Sequence, residues 1–311
     1  MAYRLRQQES FAHGLRRLAR KELRSAAAEL ERSAPSPDEA IHEARKSVKK
    51  VRAVAQLIEA DHGRGLGKSQ KQLRKVNRTL SELRDADAIM EILGKLRQQD
   101  PRVLSEHTFA RVRHRLASRK LDLTKAAAHD RSCEKAAQKL RALQETAKRW
   151  RPTHRRFGAL AAGMRATHRR GRKALARARK RQRAADFHEW RKQIKALWYQ
   201  LRLLESCSAG VRRDVRALHR AETWLGDDHN VVVLCDQLFK DGSPCREVSE
   251  LARLRCAANR FQRDLRRKAI SSMTRIYSYH SADYVGRIKR AWARWCRRGT
   301  SSHRASRREA A

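Results

Sequence analysis

The chain has 311 residues, of which 75 are lysine or arginine and 33 are aspartate or glutamate, so its formal net charge is +42 at pH 7. A charge of this sign and size indicates a polyanionic partner, such as nucleic acid, an anionic membrane surface or a phosphate polymer. The apolar fraction of 40% is too high for a disordered chain and is sufficient for a substantial core.

Several classes of protein are disfavoured by the motifs that the sequence lacks. No stretch approaches 18 uninterrupted apolar residues and the first ten residues contain no apolar leader, so we expect a soluble, cytoplasmic protein. The six cysteines form no C-x-x-C pair, which predicts reduced thiols. The sequence contains no P-loop, dinucleotide fingerprint, nucleophile elbow or zinc motif. We therefore expect neither a cofactor nor a metal.

The pattern of apolar residues predicts an all-α fold. Apolar residues recur at i, i+3, i+4 and i+7, and only five prolines and 13 glycines interrupt them. About nine helices are predicted. Their boundaries are expected at residues 33–38, 61–67, 100–101, 151–152, 207–210 and 241–244. The first of these breaks, SAPSPDEA, is typical of a helix start, because proline suits the first turn and Asp38 and Glu39 favour the helix dipole.

The helix predicted over residues 41–59 (IHEARKSVKKVRAVAQLIE) carries a basic stripe. At about 100° per residue the stripe occupies an arc of roughly 120°, and its members are His42, Arg45, Lys46, Lys49 and Arg52. Val48, Val51, Ala55 and Ile58 lie on the opposite side. For a single helix, a solvated surface is the ordinary explanation of such a stripe.

The pattern recurs 146 positions later, in residues 187–205 (FHEWRKQIKALWYQLRLLE), with seven identities in nineteen positions. The second stripe consists of His188, Arg191, Lys192, Lys195 and Arg202. A further match follows at an offset of 145, where LSELRDADAIMEIL (80–93) aligns with LGDDHNVVVLCDQL (225–238). Because both matches keep their order and separation, we infer an internal duplication. A stripe that recurs in two copies also favours a binding surface over a solvated one.

The acidic residues near these motifs are poorly arranged for catalysis. Asp85 and Asp87 lie two residues apart and therefore on different sides of a helix. Their counterparts in the second copy, Asn230 and Val232, carry no carboxylate. We expect these aspartates, together with Asp227 and Asp228, to cap helices or to hold arginine and lysine side chains. Catalysis or metal binding is the less favoured alternative.

The ordered set of four motifs resembles the CHAD family, the conserved histidine α-helical domains. The resemblance rests on H-E-x-R-K-x-x-K-K-x-R with L-x-x-L-R-D-x-D, and on F-H-E-W-R-K-x-x-K-x-L-W-Y with L-G-D-D-H-N, and it extends over about residues 1–280. It implies two four-helix bundles related by a pseudo-twofold axis around a basic central groove. It also implies that the residues of both stripes bind inorganic polyphosphate. Ala196 and Trp198 replace Lys50 and Arg52, so we expect the two sides of the groove to contribute unequally.

Physical arguments favour the same ligand. Unbranched polyphosphate has no chemical direction and can meet two related basic surfaces identically, whereas a nucleic-acid strand has polarity. The aromatic residues Trp190, Trp198 and Tyr199 lie on or beside the apolar side of their helix, which suits a core better than a base-stacking platform. Architectural nucleic-acid binding is the alternative, with nucleic acid otherwise expected as a weaker competitor. A third alternative is an enzyme acting on phosphate polymers, but the E-x-E-x-K motif of a triphosphate tunnel module is absent.

Two further expectations concern the stripes. If His42 and His188 meet phosphate oxygens, binding is expected to tighten as the pH falls from 8 to 6. Because the basic side chains lie opposite the apolar face, replacing Arg45, Lys49, Arg191 and Lys195 by glutamine is expected to leave the free protein as stable as before.

The sequence predicts a first bundle over residues 1–150, a second over 151–280 and a basic C-terminal extension over 281–311. In the extension, Ile288, Trp292, Trp295 and Cys296 form an apolar stripe at helical spacing, which predicts that this helix docks on the body of the protein. Tryptophan flanked by arginine also suits a membrane interface, which is the less favoured alternative.

Overall fold

The computed structural model describes residues 3–32, 37–62, 66–154, 156–239 and 247–309. Within these ranges the chain is helical and contains no β-strand, which confirms the predicted all-α class. The eleven α-helices are α1 (Phe11–Glu31), α2 (Pro37–His62), α3 (Gly67–Thr79), α4 (Ser81–Gln99), α5 (Glu106–His129), α6 (Ser132–Thr146), α7 (Gly158–Arg181), α8 (Ala184–Arg202), α9 (Ala209–Leu238), α10 (Val248–Tyr277) and α11 (Ser281–Glu309). Short 3-10 helices occupy Ala147–Arg149 and Glu205–Cys207. No helix in the described ranges is long and apolar enough to cross a membrane.

The boundaries predicted at residues 100–101, 151–152 and 207–210 agree with the structure, and α2 and α3 begin within the breaks predicted at 33–38 and 61–67. The break predicted at 241–244 lies outside the described residues. The estimate of about nine helices was too low. The missed junctions contain no proline or glycine. α3 and α4 meet at Leu80, while Arg131 and Gln182 adopt left-handed backbone conformations with φ of 52° and 53°. Glycine usually occupies such helix-ending positions. Proline and glycine positions therefore could not reveal these breaks.

The apolar side chains form two clusters. The larger cluster is built by α1, α2, α3, α6, α7, α8, α11 and the adjoining ends of α9 and α10. The smaller cluster contains side chains from α4 and α5, such as Ile92 and Leu116, together with Leu234 of α9 and Leu254 of α10. The smaller cluster thus joins residues from both halves of the sequence. The division into residues 1–150, 151–280 and 281–311, and the internal duplication, remain predictions.

The helices with the basic stripes lie side by side in the interior of the fold. α2 packs against α1, α7 and α8, and α8 packs against α7 and α9. A close approach of α2 to α7 occurs at Gly163, where a Cβ atom would lie 2.8 Å from the Cα of Leu57. The apolar sides of both helices are fully buried, as the helical periodicity predicted, because residues such as Val48 and Ile194 have no exposed surface.

α11 docks on the body of the protein, as its apolar stripe predicted. Ile288 and Trp292 are buried, and Trp295 and Cys296 pack against the larger cluster. The ring centroids of Trp292 and Phe11 lie 5.3 Å apart. The fully buried Asp214 of α9 reinforces this docking by forming ion pairs with one arginine of α10 and one of α11, Arg275 and Arg287. The apolar side of α11 is therefore part of the core.

Candidate functional site

The basic side chains of α2 differ in their surroundings. The Arg45 guanidinium donates hydrogen bonds to the carbonyl oxygens of Leu80 and Ser81, at 3.1 and 3.0 Å. Because these carbonyls lie at the junction of α3 and α4, Arg45 also satisfies the end of α3. Lys46 is more exposed and lies 3.0 Å from Glu43, one turn earlier on the same helix. Arg52 is half-buried on the α3 side, where burial and the neighbouring Arg74 lower its pKa.

The basic side chains of α8 are anchored by a carboxylate from the next helix. Glu222 of α9 accepts a hydrogen bond from Arg191 at 3.0 Å and forms a second ion pair with Lys195. Lys192 is exposed and, like Lys46, forms an ion pair with a glutamate three residues earlier, Glu189 at 3.3 Å. The inner cations of α8 are therefore held by another helix, whereas the outer cation is held by its own.

Lys49 joins the two stripes. Its pKa is lowered well below the usual value, first by burial and then by the positive charges of Lys195, Arg45 and Arg191, while Glu222 acts in the opposite direction. The pKa of Lys195 is lowered as well, again chiefly by burial. Three cations from the two helices thus lie within electrostatic reach of Lys49, and Glu222 lies within reach of Lys49, Arg191 and Lys195. We call Arg45, Lys49, Arg191 and Lys195 the central cation cluster.

Glu222 is the acidic centre of this cluster. Its side chain is only 9% exposed. Burial on its own would raise the pKa of this carboxyl, but the charges of Lys195 and Arg191 outweigh burial and lower it to about 2. Glu222 is therefore ionised at any physiological pH and balances part of the positive charge.

The two histidines that begin the stripes occupy different environments. His42 is exposed, with Nε2 lying 4.0 Å from Glu43. His188 is half-buried and its ring centroid lies 4.2 Å from that of His229. Burial, followed by the proximity of His229, lowers the pKa of His188 to about 4. The Nδ1 atom of His188 is buried without a hydrogen-bond partner among the described residues. The matched sequence positions therefore give two chemically distinct imidazoles.

Arg202 lies apart from the central cation cluster, over aromatic rings. Its guanidinium lies 5.2 Å from the ring centroid of Trp198 and 5.7 Å from that of Tyr3. Tyr199 is buried, as predicted, whereas Trp198 is half-buried and its ring lies 4.6 Å from that of His219. These aromatic contacts hold Arg202 at the end of α8.

Gly226 of α9 gives Arg191 the space that it occupies. A Cβ atom at this position would lie 2.9 Å from the Nη2 atom of Arg191, closer than a normal van der Waals contact. Gly226 is the glycine of the L-G-D-D-H-N motif. In the sequence alignment of the two halves, Leu225 matches Leu80, the residue at which the first half of the chain breaks between α3 and α4. The second half instead continues through this position as one uninterrupted helix.

The described aspartates of these motifs hold basic side chains, as the sequence predicted. Asp87 lies 2.6 Å from Lys120, Asp227 lies 2.7 Å from Lys95 and Asp228 lies 2.7 Å from Arg266. The pair of Asp227 with Lys95 connects α9 to α4 and therefore links the two halves of the chain. The side chain of Asp85 lies outside the described residues. The described residues contain no group of histidine, cysteine or acidic side chains arranged to hold a metal ion.

Sequence reasoning missed the acidic partners of the stripes. Besides Glu222, the buried Glu22 of α1 accepts hydrogen bonds from Ser47 and Lys50 at 2.9 and 2.8 Å. His229 was also missed, although it belongs to L-G-D-D-H-N. A glutamate among the apolar residues of an amphipathic helix, as Glu22 is in LARKELRSA, is the one signal that the sequence offered.

The fold and this site define an all-helical protein in which two adjacent basic helices place a cluster of cations around one buried carboxylate. The family model of the CHAD domain matches residues 17–238, which is most of the chain. The chain therefore belongs to the CHAD family. This match is shorter than the region of about residues 1–280 over which the motifs suggested a resemblance. A search of curated proteins found no match to the chain.

Proposed function

We propose that the protein binds inorganic polyphosphate at the central cation cluster and does so without catalysis. The observation that carries the proposal is the excess of positive charge at this place. Arg191 and Lys195 are paired with Glu222, and Lys49 lies near them and near Arg45, so that repulsion among these cations adds to burial in lowering the pKa of Lys49. A bound polyanion would relieve this repulsion, and family membership supports a phosphate polymer as that polyanion.

The chemistry of the donors fits a chain of phosphates. Arginine presents a planar fork that pairs with two phosphate oxygens, and lysine adds a compact charge. Lys192 and His42 are exposed and Lys46 is half-buried on the same two helices, where they extend the positive surface beyond the central cation cluster. Arg52, His188 and Arg202 complete the proposed set. Their lower exposure or aromatic contacts give them a secondary part in binding.

Nucleic acid is the competing ligand, and a displacement experiment separates the two. Calorimetric titrations with long polyphosphate, DNA and RNA are compared at equal phosphate concentration and at several salt concentrations. We expect polyphosphate to displace bound DNA at a far lower phosphate concentration than DNA displaces polyphosphate, and its affinity to fall steeply with salt. The reverse order of displacement would contradict the proposal. Phosphate released from long chains by the purified protein with Mg²⁺ would contradict the absence of catalysis.

Lys49→Gln tests the location of the site. The substitution removes a positive charge that the neighbouring cations repel, so we expect the fold to be retained. Removing one phosphate contact is expected to weaken polyphosphate binding about tenfold. The slope of the logarithm of the binding constant against the logarithm of the salt concentration should become about one unit less steep. Lys173→Gln, on the exposed side of α7, is the matched control because it removes the same charge from a solvated helix face. Equal weakening by both substitutions would show that only the net charge matters.

The cellular role follows from binding. A protein that holds polyphosphate without cleaving it is suited to attach to polyphosphate granules, and we propose this association in the cytoplasm. Co-sedimentation of the Lys49→Gln protein with polyphosphate granules should be weaker than that of the Lys173→Gln control.

A further inference from the structure

A second basic site lies on α1, separate from the central cation cluster. A cavity of about 430 Å³ is lined by six side chains of α1 and by two from the end of α6 and the 3-10 helix that follows it: His13, Arg16, Arg17, Arg20, Lys21, Arg24, Gln144 and Lys148. The lining contains five arginine or lysine side chains from α1 and one further lysine, Lys148, which forms an ion pair with Glu145; no carboxylate lines the cavity itself. Such a concave, strongly positive surface differs from an ordinary solvated helix face.

The orientation of α1 keeps this cavity away from the helices that carry the basic stripes. Glu22 of α1 points toward α2, where it accepts hydrogen bonds from Ser47 and Lys50. At about 100° per residue, Arg20 and Arg24 lie about 160° around the helix from Glu22. The cavity and the central cation cluster therefore lie on different sides of α1.

Three arginines lie in a row along the cavity, and we call this row the ladder. Arg16, Arg20 and Arg24 are spaced four residues apart, so their side chains are neighbours and like charges at this spacing destabilise a helix. None of the three has an ion pair with a carboxylate among the described residues. By contrast, Arg17 is fixed by a bidentate contact with Glu9. A bound anion would supply the charge that the ladder lacks.

We infer that the cavity on α1 is a second binding site that takes a short condensed phosphate, such as tripolyphosphate. Arginine forks match phosphate oxygens, and several of them around one cavity suit an anion with several charges in a small volume. The lining offers no tryptophan, tyrosine or phenylalanine on which a nucleotide base could stack. Duplex nucleic acid presents its phosphates on a convex surface that does not enter such a cavity. The inference goes beyond the proposed function and does not depend on it.

The chain offers a closely matched control for the test. On α7, Arg165, Arg169 and Lys173 have the same spacing of four residues and are exposed, but they do not line this cavity. Tripolyphosphate is titrated calorimetrically at low salt into the full-length protein and into two triple variants, Arg16→Gln/Arg20→Gln/Arg24→Gln and Arg165→Gln/Arg169→Gln/Lys173→Gln. Both variants lose three positive charges from the outer face of a helix.

We expect the α1 triple variant to lose one class of tripolyphosphate site, or to bind about tenfold more weakly or worse, because each charged hydrogen bond contributes a factor of this order. The α7 triple variant should keep the site. Equal losses in both variants would overturn the inference, because diffuse charge would then explain binding. Retention of tripolyphosphate with loss of duplex DNA binding in the α1 variant would overturn it as well.

Two further variants separate folding and the proposed function from the inference. Lys148→Gln removes a cation from the opposite wall of the cavity, and it should weaken the same tripolyphosphate site without touching α1. Unchanged binding in a folded Lys148→Gln protein would contradict a two-walled site. Lys49→Gln should leave the α1 site intact. If Lys49→Gln has no effect on any ligand while the α1 triple variant loses tripolyphosphate, the proposed function fails and this inference stands.

Discussion

Removing both cations that hold Glu222 should destabilise the protein, even though they belong to a basic stripe opposite the apolar face. Arg191→Gln with Lys195→Gln would leave a carboxylate that is only 9% exposed without its two ion-pair partners. Breaking a buried ion pair by removing one side costs about 3–5 kcal/mol, because the remaining charge stays buried and unpaired. These contacts revise the expectation that glutamine at the stripe positions leaves stability unchanged.

The lowered pKa of Glu222 expresses the stabilisation that Arg191, Lys195 and Lys49 together give its ionised form. The value of about 2, compared with 4.5 for an unperturbed glutamate, corresponds to about 3 kcal/mol of stabilisation at pH 7. Since a large domain loses about 2 °C in melting temperature per kcal/mol, we expect the double variant to melt about 6 °C lower. Adding Glu222→Gln removes the stranded charge and should restore most of that loss.

Thermal and urea unfolding are measured for four proteins: the wild type, the double variant, Glu222→Gln and the triple variant. Their free energies of unfolding form a thermodynamic mutant cycle. The matched control is Lys192→Gln with Glu189→Gln, an exposed pair on the same helix, whose loss should change stability by less than about 0.5 kcal/mol. The reasoning is refuted if the double variant is as stable as the wild type, or if Glu222→Gln fails to rescue it.

Three further expectations follow from the same contacts. Burial and the neighbouring cations lower the pKa of Lys49, and a bound polyanion should raise it, so binding should take up protons between the free-state and the bound-state pKa, and affinity should fall as pH rises through the bound-state pKa. Calorimetry in buffers of different ionisation enthalpy measures this uptake, which Lys49→Arg should abolish. Burial lowers the pKa of His188 to about 4 in the free protein, so any tightening from its protonation should be complete only below about pH 4. His188→Gln should flatten that part of the affinity profile; an unchanged profile would assign the effect elsewhere. Gly163→Ala places a Cβ atom 2.8 Å from the Leu57 backbone and should cost about 1–2 kcal/mol by urea unfolding, whereas Gly94→Ala, with open space around it, should stabilise α4 by up to about 1 kcal/mol. Equal effects of the two glycine substitutions would refute the close approach of α2 and α7.

The sequence predicts those features that depend on residues close together in the chain. The start of α2 at Pro37, with Asp38 and Glu39 in its first turn, follows from local preferences and is observed. The buried sides of α2 and α8 follow from helical periodicity. The breaks at Arg131 and Gln182 do not follow, because arginine and glutamine rarely adopt the left-handed conformation that ends a helix there. The carbonyl oxygen of Gln182 accepts a hydrogen bond from Arg266 of α10, whereas the ion pair of Arg131 with Glu134 is local.

The central cation cluster is predictable only in part for the same reason. Periodicity places Lys49 and Lys195 on the polar sides of their helices, and the recurrence of the pattern suggests that both sides serve one purpose. It does not reveal that Glu222, 27 residues after Lys195, lies between them. Nor does it separate His188 from His42, because the difference in their pKa depends on burial and on His229. Partners from other helices become visible only once the helices are packed.

Glu222 also explains how such a cluster can exist before a ligand arrives. Cations brought together in this way repel one another and favour an open fold, and this repulsion adds to burial in lowering the pKa of Lys49. A single carboxylate at the centre holds Arg191 and Lys195 in fixed positions, so that their geometry is set in the absence of a polyanion. Glu222 forms ion pairs with two of the cations, whereas Lys49 has no ion pair among the described residues, and its charge is available to phosphate. The same carboxylate therefore stabilises the empty site and leaves it positively charged.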